Sequence, residues 1–178
     1  MPAELLYRQR LAILRAIFAR KAERESGSAF SGRMSPPCTE TELAKQDEYM
    51  QQRLHCTLPS CYASVLREFN GMGTQGSVLY GTDEPTDEDA GSWPRQGIIY
   101  ATLTWTWLDD RDDPFKSPWI VIGENDFERL AISRDGKRFC IFGGSMSGPP
   151  TRELDSLDAL LCYAMEIMVS ANRPAIVE

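Results

Sequence analysis

Apolar residues in the first 25 positions recur at helical spacing. Leu6, Ile13, Leu14, Ile17 and Phe18 share one face, while Arg8, Arg15 and Lys21 mark the other, with Arg10, Arg20 and Arg24 nearby. This pattern predicts one amphipathic helix over residues 3–25. Residues 26–38 are small and polar and close on Pro36-Pro37-Cys38, the composition of a linker. On this reading residues 1–38 are an appendage, and residues 39–178 form the main domain.

Thr39 stands three residues before Glu42, the spacing at which hydroxyl and carboxylate reciprocally satisfy free amides at a helix start. Leu43, Met50 and Leu54 give that helix a thin apolar stripe. Leu58-Pro59 then opens a second helix, in which Tyr62, Val65, Leu66 and Phe69 recur at i, i+3, i+4 and i+7. Asn70-Gly71 is a stop signal, because glycine tolerates the left-handed conformation at a helix end.

From there the period shifts to two. Ser77–Tyr80 predicts a short strand, as does Trp119–Ile122. Gly97–Trp107 alternates, with Ile99, Leu103, Trp105 and Trp107 on one side and Thr102, Thr104 and Thr106 on the other, which predicts a strand with both tryptophans in the core. Residues 128–133 and 137–142 flank Asp135-Gly136 and predict a hairpin. Asp155 is placed to cap a last helix carrying Leu157, Leu160, Leu161, Ala164 and Met168, with Pro174 beyond its end. Two helices, several sequential strands and a closing helix predict an α+β fold with an antiparallel sheet flanked by helices, rather than βαβ units.

Composition places these elements in an ordinary globular chain. Of 178 residues, 42% are apolar and 25% charged, enough for a core that needs neither metal nor disulfides. No apolar run approaches the ~20 residues of a bilayer span, and no basic-then-apolar leader precedes the first helix. A cytoplasmic location and no membrane partner are therefore expected. The net charge is −7, yet residues 1–25 carry six basic and three acidic side chains, so the remainder carries −10. Such a surface disfavours nucleic acid and favours a basic partner. The five cysteines, Cys38, Cys56, Cys61, Cys140 and Cys162, form no C-x-x-C pair and predict reduced, mostly buried thiols.

The usual catalytic constellations are not legible. His55 is the only histidine, and its neighbour Cys56 points elsewhere on a helix, so it reads as a helix-end residue. Gly71-Met72-Gly73-Thr74-Gln75-Gly76 matches G-x-G-x-x-G in spelling. A helix precedes it and a strand follows, the reverse of a dinucleotide site, so a helix-to-strand turn explains it. Two acidic stretches, residues 82–92 with Asp83, Glu84, Asp87, Glu88 and Asp89, and residues 109–113 with Asp109, Asp110, Asp112 and Asp113, lack calcium-loop spacing. They read as solvated loops or as a surface facing a partner. No cofactor or metal is expected.

One segment is similar to a known family. Leu58-Pro59-x-x-Tyr62-x-x-x-Leu66-x-x-x-Asn70-Gly71 resembles the hallmark of the SUKH superfamily, which includes fungal Smi/Knr-type cell-wall regulators and many bacterial immunity proteins. Trp119-Ile-Val-Ile-Gly123, the hairpin of residues 128–142, and Leu154-Asp155-Ser156-Leu157-x-x-Leu160-Leu161 resemble its later elements in the same order. Met72 stands where the family pattern has a second glycine. The resemblance spans about residues 39–170 and implies a single SUKH-like immunity domain, a binding module and not an enzyme. Its implied partner is a cognate polymorphic toxin, delivered by a secretion or contact-dependent system and blocked at its active site. Asp83, Glu84, Asp87, Glu88, Asp89, Trp93, Asp109, Asp110, Asp112 and Asp113 are the expected contacts, their carboxylates pairing with basic groups that would hold substrate phosphate. A Smi/Knr-like regulator or scaffold is the alternative. The N-terminal helix then serves as a docking element; otherwise it packs onto its own domain or pairs two copies into a homodimer.

Overall fold

Seven strands hydrogen-bond in chain order into one antiparallel sheet, each paired with its sequence neighbour. The computed structural model describes residues 3–24, 33–74, 76–82, 97–109 and 117–172. The elements are α1 (Ala3–Arg24), β1 (Arg33–Met34), α2 (Glu40–Leu54), α3 (Ser60–Leu66), β2 (Met72–Thr74), β3 (Ser77–Leu79), α4 (Ile98–Asp109), β4 (Trp119–Asn125), β5 (Glu128–Ser133), β6 (Phe139–Gly143), β7 (Arg152–Leu154) and α5 (Leu157–Ala171). The fold is α+β. No helix among the described residues is long and apolar enough to cross a membrane.

β4 and β5 form the middle of the sheet, and Ile120, Val121, Ile122, Leu130, Ala131 and Ile132 are all buried. A strand can be apolar on consecutive positions only if both of its faces are covered. Here α4 packs against β4, and α5 reaches β2, β3, β5, β6 and β7. Adjacent residues of β5 identify the two faces: Arg129 meets Trp105 of α4, whereas Glu128 accepts a hydrogen bond from Tyr163 of α5. The register between β4 and β5 shifts between Val121 and Gly123. At this bulge the Val121 N–H donates to Thr102 Oγ1 of α4 at 3.0 Å, so the backbone irregularity stays satisfied.

Residues 97–107 form a helix and not the alternating strand their pattern predicts. Ile98, Ile99, Ala101 and Thr102 are buried together, the i, i+1, i+3, i+4 face of a helix. Both flanks of β4 are already occupied by β3 and β5, so the segment joining β3 to β4 finds its apolar partner on the sheet's face. Burial there outweighs the β-preference of the threonines.

The first helix packs into the core. Tyr7, Leu11, Leu14, Ile17 and Phe18 belong to the same apolar cluster as the sheet, and α1 lies along α5. Ile13, expected on the apolar face, is instead 36% exposed, with Tyr7 and Leu11 completing the stripe. An ion pair and a hydrogen bond support the packing: Arg10 pairs with Glu166 of α5 at 2.5 Å, and Arg15 Nη2 donates to the Glu68 backbone carbonyl at 3.2 Å. The described end of the predicted linker is also built into the fold. Arg33–Met34 adds an edge strand to β2, Ser35 N donates to Gly71 O, and Cys38 N donates to Leu66 O at 2.8 Å.

Thr39 and Glu42 make the expected capping box at the start of α2. The last helix is capped by Ser156, whose hydroxyl accepts from Ala159 N, one residue after the expected Asp155. Pro174 lies outside the described residues. The hairpin turns on Gly136 at φ +71°, as Asp-Gly requires.

Candidate protein interface

Tyr62, Asn70 and Gly71 of the segment that opens α3 meet at one structural joint. Tyr62 is fully buried, and its phenol donates to the backbone carbonyls of Tyr80 at 2.6 Å and Ile122 at 3.3 Å, tying α3 to the boundary of β3 and β4. Burial pushes that phenol far above its ordinary pKa, so it remains a donor. Asn70 Oδ1 accepts from Thr82 N at 2.7 Å, and Asn70 Nδ2 donates to Thr82 Oγ1 at 2.9 Å. The backbones of Asn70-Gly71 and Gly81 come so close that a Cβ on Gly81 would stand 2.5 Å from Asn70 O, and one on Gly71 2.7 Å from Gly81 N. Gly71 also has φ +82°. Leu66 is buried in the same core.

Of the expected contact residues, Asp83, Glu84, Asp87, Glu88, Asp89, Trp93, Asp110, Asp112 and Asp113 lie outside the described residues. Asp109 is the last residue of α4. The structure does bring the flanks of the first acidic stretch together, since Ile98 N donates to Gly81 O at 3.1 Å. Trp119 is buried, with its ring edge-on to Phe142 at 5.3 Å between centroids.

Trp105 is half-buried and belongs to a polar cluster that the sequence pattern did not reveal. The Arg129 guanidinium lies over its ring, 3.3 Å from the centroid, the geometry of a cation–π contact. Arg129 Nε stands 3.5 Å from Glu124 Oε2, its direct cross-strand neighbour. Tyr80 completes the cluster through hydrogen bonds with Glu124 and Trp105; burial first, then the Glu124 charge, hold its phenol well above the ordinary range. A charged pair under a helix is tolerated only when its remaining hydrogen-bonding capacity is used. Arg129 uses part of it locally, Nη1 donating to the carbonyls of Asn125 and Glu128 at 3.1 Å each, while Arg129 Nε and Glu124 Oε2 are buried with only their mutual contact.

Those two carbonyls bracket the β4–β5 turn. Asn125 Oδ1 accepts from the Phe127 and Glu128 amides at 2.9 Å each, an Asx-type closure of the turn. Asn125 Nδ2 donates to Glu128 Oε2 at 2.9 Å, and the same oxygen accepts from Tyr163 at 2.5 Å. Burial and this bond push the Tyr163 phenol up to about 12. The turn is thus braced to α4 through Arg129 and to α5 through Glu128. Phe127 projects from it, 81% exposed. A large aromatic between Asp126 and Glu128, in a turn that needs only polar residues, is the sequence signal that could have marked this site.

Other candidates stay structural. His55 closes α2 in the left-handed conformation at φ 53°. The G-x-G-x-x-G spelling resolves into β2 and its turn to β3, and Met72, in the second-glycine position, is fully buried. The five cysteines are free thiols, three buried and two half-buried, and burial raises the pKa of each, most at Cys38, to about 11. Thiols so held are weak nucleophiles at neutral pH. Among the described residues, no group of three or more His, Cys, Asp or Glu could hold a metal ion. No protein-family model matches the chain, and no curated protein matches it.

Proposed function

We propose that the chain is an immunity protein of the SUKH type, which binds a cognate secreted toxin and neutralises it by occluding its active site. The observation that carries this reading is the joint at Tyr62, Asn70 and Gly71. Tyr62, Asn70 and Gly71 there fix how α3 enters the sheet, which supports the reading. The net charge of −7 favours a basic partner, such as an enzyme that acts on nucleic acid. Blockade is steric and electrostatic, with carboxylates competing for the groups that hold substrate phosphate.

The alternative, a Smi/Knr-like scaffold, would use the first helix as its docking element. The buried stripe of that helix is occupied by the chain's own α5 and core, which favours the immunity reading.

Affinity purification of the tagged chain from its native host tests the proposal. The expected outcome is one dominant basic partner that arrests growth when expressed alone and loses toxicity on co-expression. Several substoichiometric, non-toxic partners would overturn it in favour of the scaffold.

A further inference from the structure

We infer that Phe127 is the anchor of the partner-binding surface and inserts into an apolar pocket, rimmed by basic groups, on a folded partner protein. This rests on the immunity reading for the partner's role but not for the surface itself.

Three observations carry it. Phe127 is the most exposed large apolar side chain among the described residues, at 81%, beside Tyr100 at 52% and Tyr49 at 41%. Among the described residues nothing covers that area. The backbone beneath it is fixed by bonds reaching two helices on opposite faces of the sheet: Arg129 to the turn carbonyls and Trp105, and Glu128 to Tyr163. A turn held this firmly loses little freedom when its tip enters a pocket, and preorganisation of this kind is what lowers the cost of association. Interface energy concentrates in such rigid aromatic anchors, ringed by contacts that exclude water.

The charge around the anchor selects the partner. Asp126 and Glu128 flank Phe127 in the chain, and the Asp126 carboxylate lies against the neighbouring turn, 3.0 Å from where a Gly76 Cβ would be. An anionic lipid surface or nucleic acid meets repulsion here, and a second copy would set the same carboxylates against each other. A protein pocket with a basic rim meets complementary charge at its edge and apolar area at its centre.

The test is site-specific photo-crosslinking with the full chain in its native host, carrying Phe127→p-benzoylphenylalanine, with Tyr49→p-benzoylphenylalanine as an exposed control. The expected result is one basic protein crosslinked at position 127 and not at position 49. That protein, once purified, should bind Phe127→Ala about 30-fold more weakly, the size of a hot-spot truncation, with the thermal unfolding midpoint of the variant unchanged. No adduct, equal adducts at both positions, an adduct of two copies of this chain, or undiminished affinity of Phe127→Ala would each overturn the inference. The two proposals fail separately. A basic partner that crosslinks at Phe127 but is harmless sinks the immunity reading and leaves the surface standing. A toxin that co-purifies yet ignores Phe127→Ala sinks the surface and leaves the immunity reading standing.

Discussion

At one end of the sheet helices grip the connections, whereas at the other the β2–β3, β4–β5 and β6–β7 connections carry no helix of their own. The gripped end holds the joint of Asn70-Gly71 with Gly81-Thr82. It also holds the β5–β6 turn, where Arg134 Nη1 donates to Leu54 O of α2 at 2.5 Å and the Cys61 thiol contacts Gly136 O at 3.8 Å. The open end holds Phe127. Side chains at the gripped end are consumed by the fold, so substitution there is read as stability. The braced turn at the open end leaves its most apolar residue idle, so substitution there is read as binding.

Substitutions graded by position test this contrast. The largest loss is expected for Gly81→Ala, whose added carbon meets the Asn70 backbone; about 3 kcal/mol or more should disappear in urea unfolding. Leu14→Ala should cost about 2–5 kcal/mol, since Leu14 is fully buried; a loss below ~0.5 kcal/mol would return α1 to the status of an appendage. Tyr62→Phe takes the phenol from the Tyr80 carbonyl, while Ile122 O keeps the Tyr80 N–H, and should cost about 1–2 kcal/mol.

Thr39→Ala removes the α2 cap and should cost about 1 kcal/mol at neutral pH. The backbone amide and then the hydroxyl of Thr39 lower the Glu42 pKa. The bond therefore stabilises the fold above the ordinary carboxylate value of about 4.3 and fades as pH falls through the lowered folded value. The gap between wild type and Thr39→Ala should narrow in acid unfolding curves below about pH 4. Phe127→Ala should be smallest, within about 0.5 kcal/mol of wild type. A larger loss would show that the open end is not idle.

Legibility followed the same division. The capping box at Thr39, the Asp-Gly hairpin and the stripe of α5 are local devices whose chemistry is complete within a few residues, and each stands where the pattern puts it, whereas α3 ends at Leu66, ahead of the expected stop at Asn70-Gly71. The sequence misled where the deciding partner is distant. Residues 97–107 alternate like a strand, but β3 and β5 already flank β4. Arg33–Met34 looked like linker because its pairing partner, β2, lies almost 40 residues away. The Arg129–Glu124–Trp105–Tyr80 cluster joins four elements or their flanks, and no window along the chain contains it. The acidic contacts were chosen on charge alone, a signal without geometry. Phe127 was legible in principle, as an aromatic in turn chemistry, but apolar residues are read first as core.

The contact of α1 with α5 sets a clock on the ribosome. The earlier helix rests on one made much later, with about 130 residues of chain between them. At roughly 5–20 residues per second, α1 waits some 7–30 s after its own synthesis before its partner is made. During that interval Tyr7, Leu11, Leu14, Ile17 and Phe18 form a nascent apolar stripe without its final cover. The charged face beside that stripe, with Arg8 and Arg15, keeps the segment from being apolar on every side until α5 closes over it.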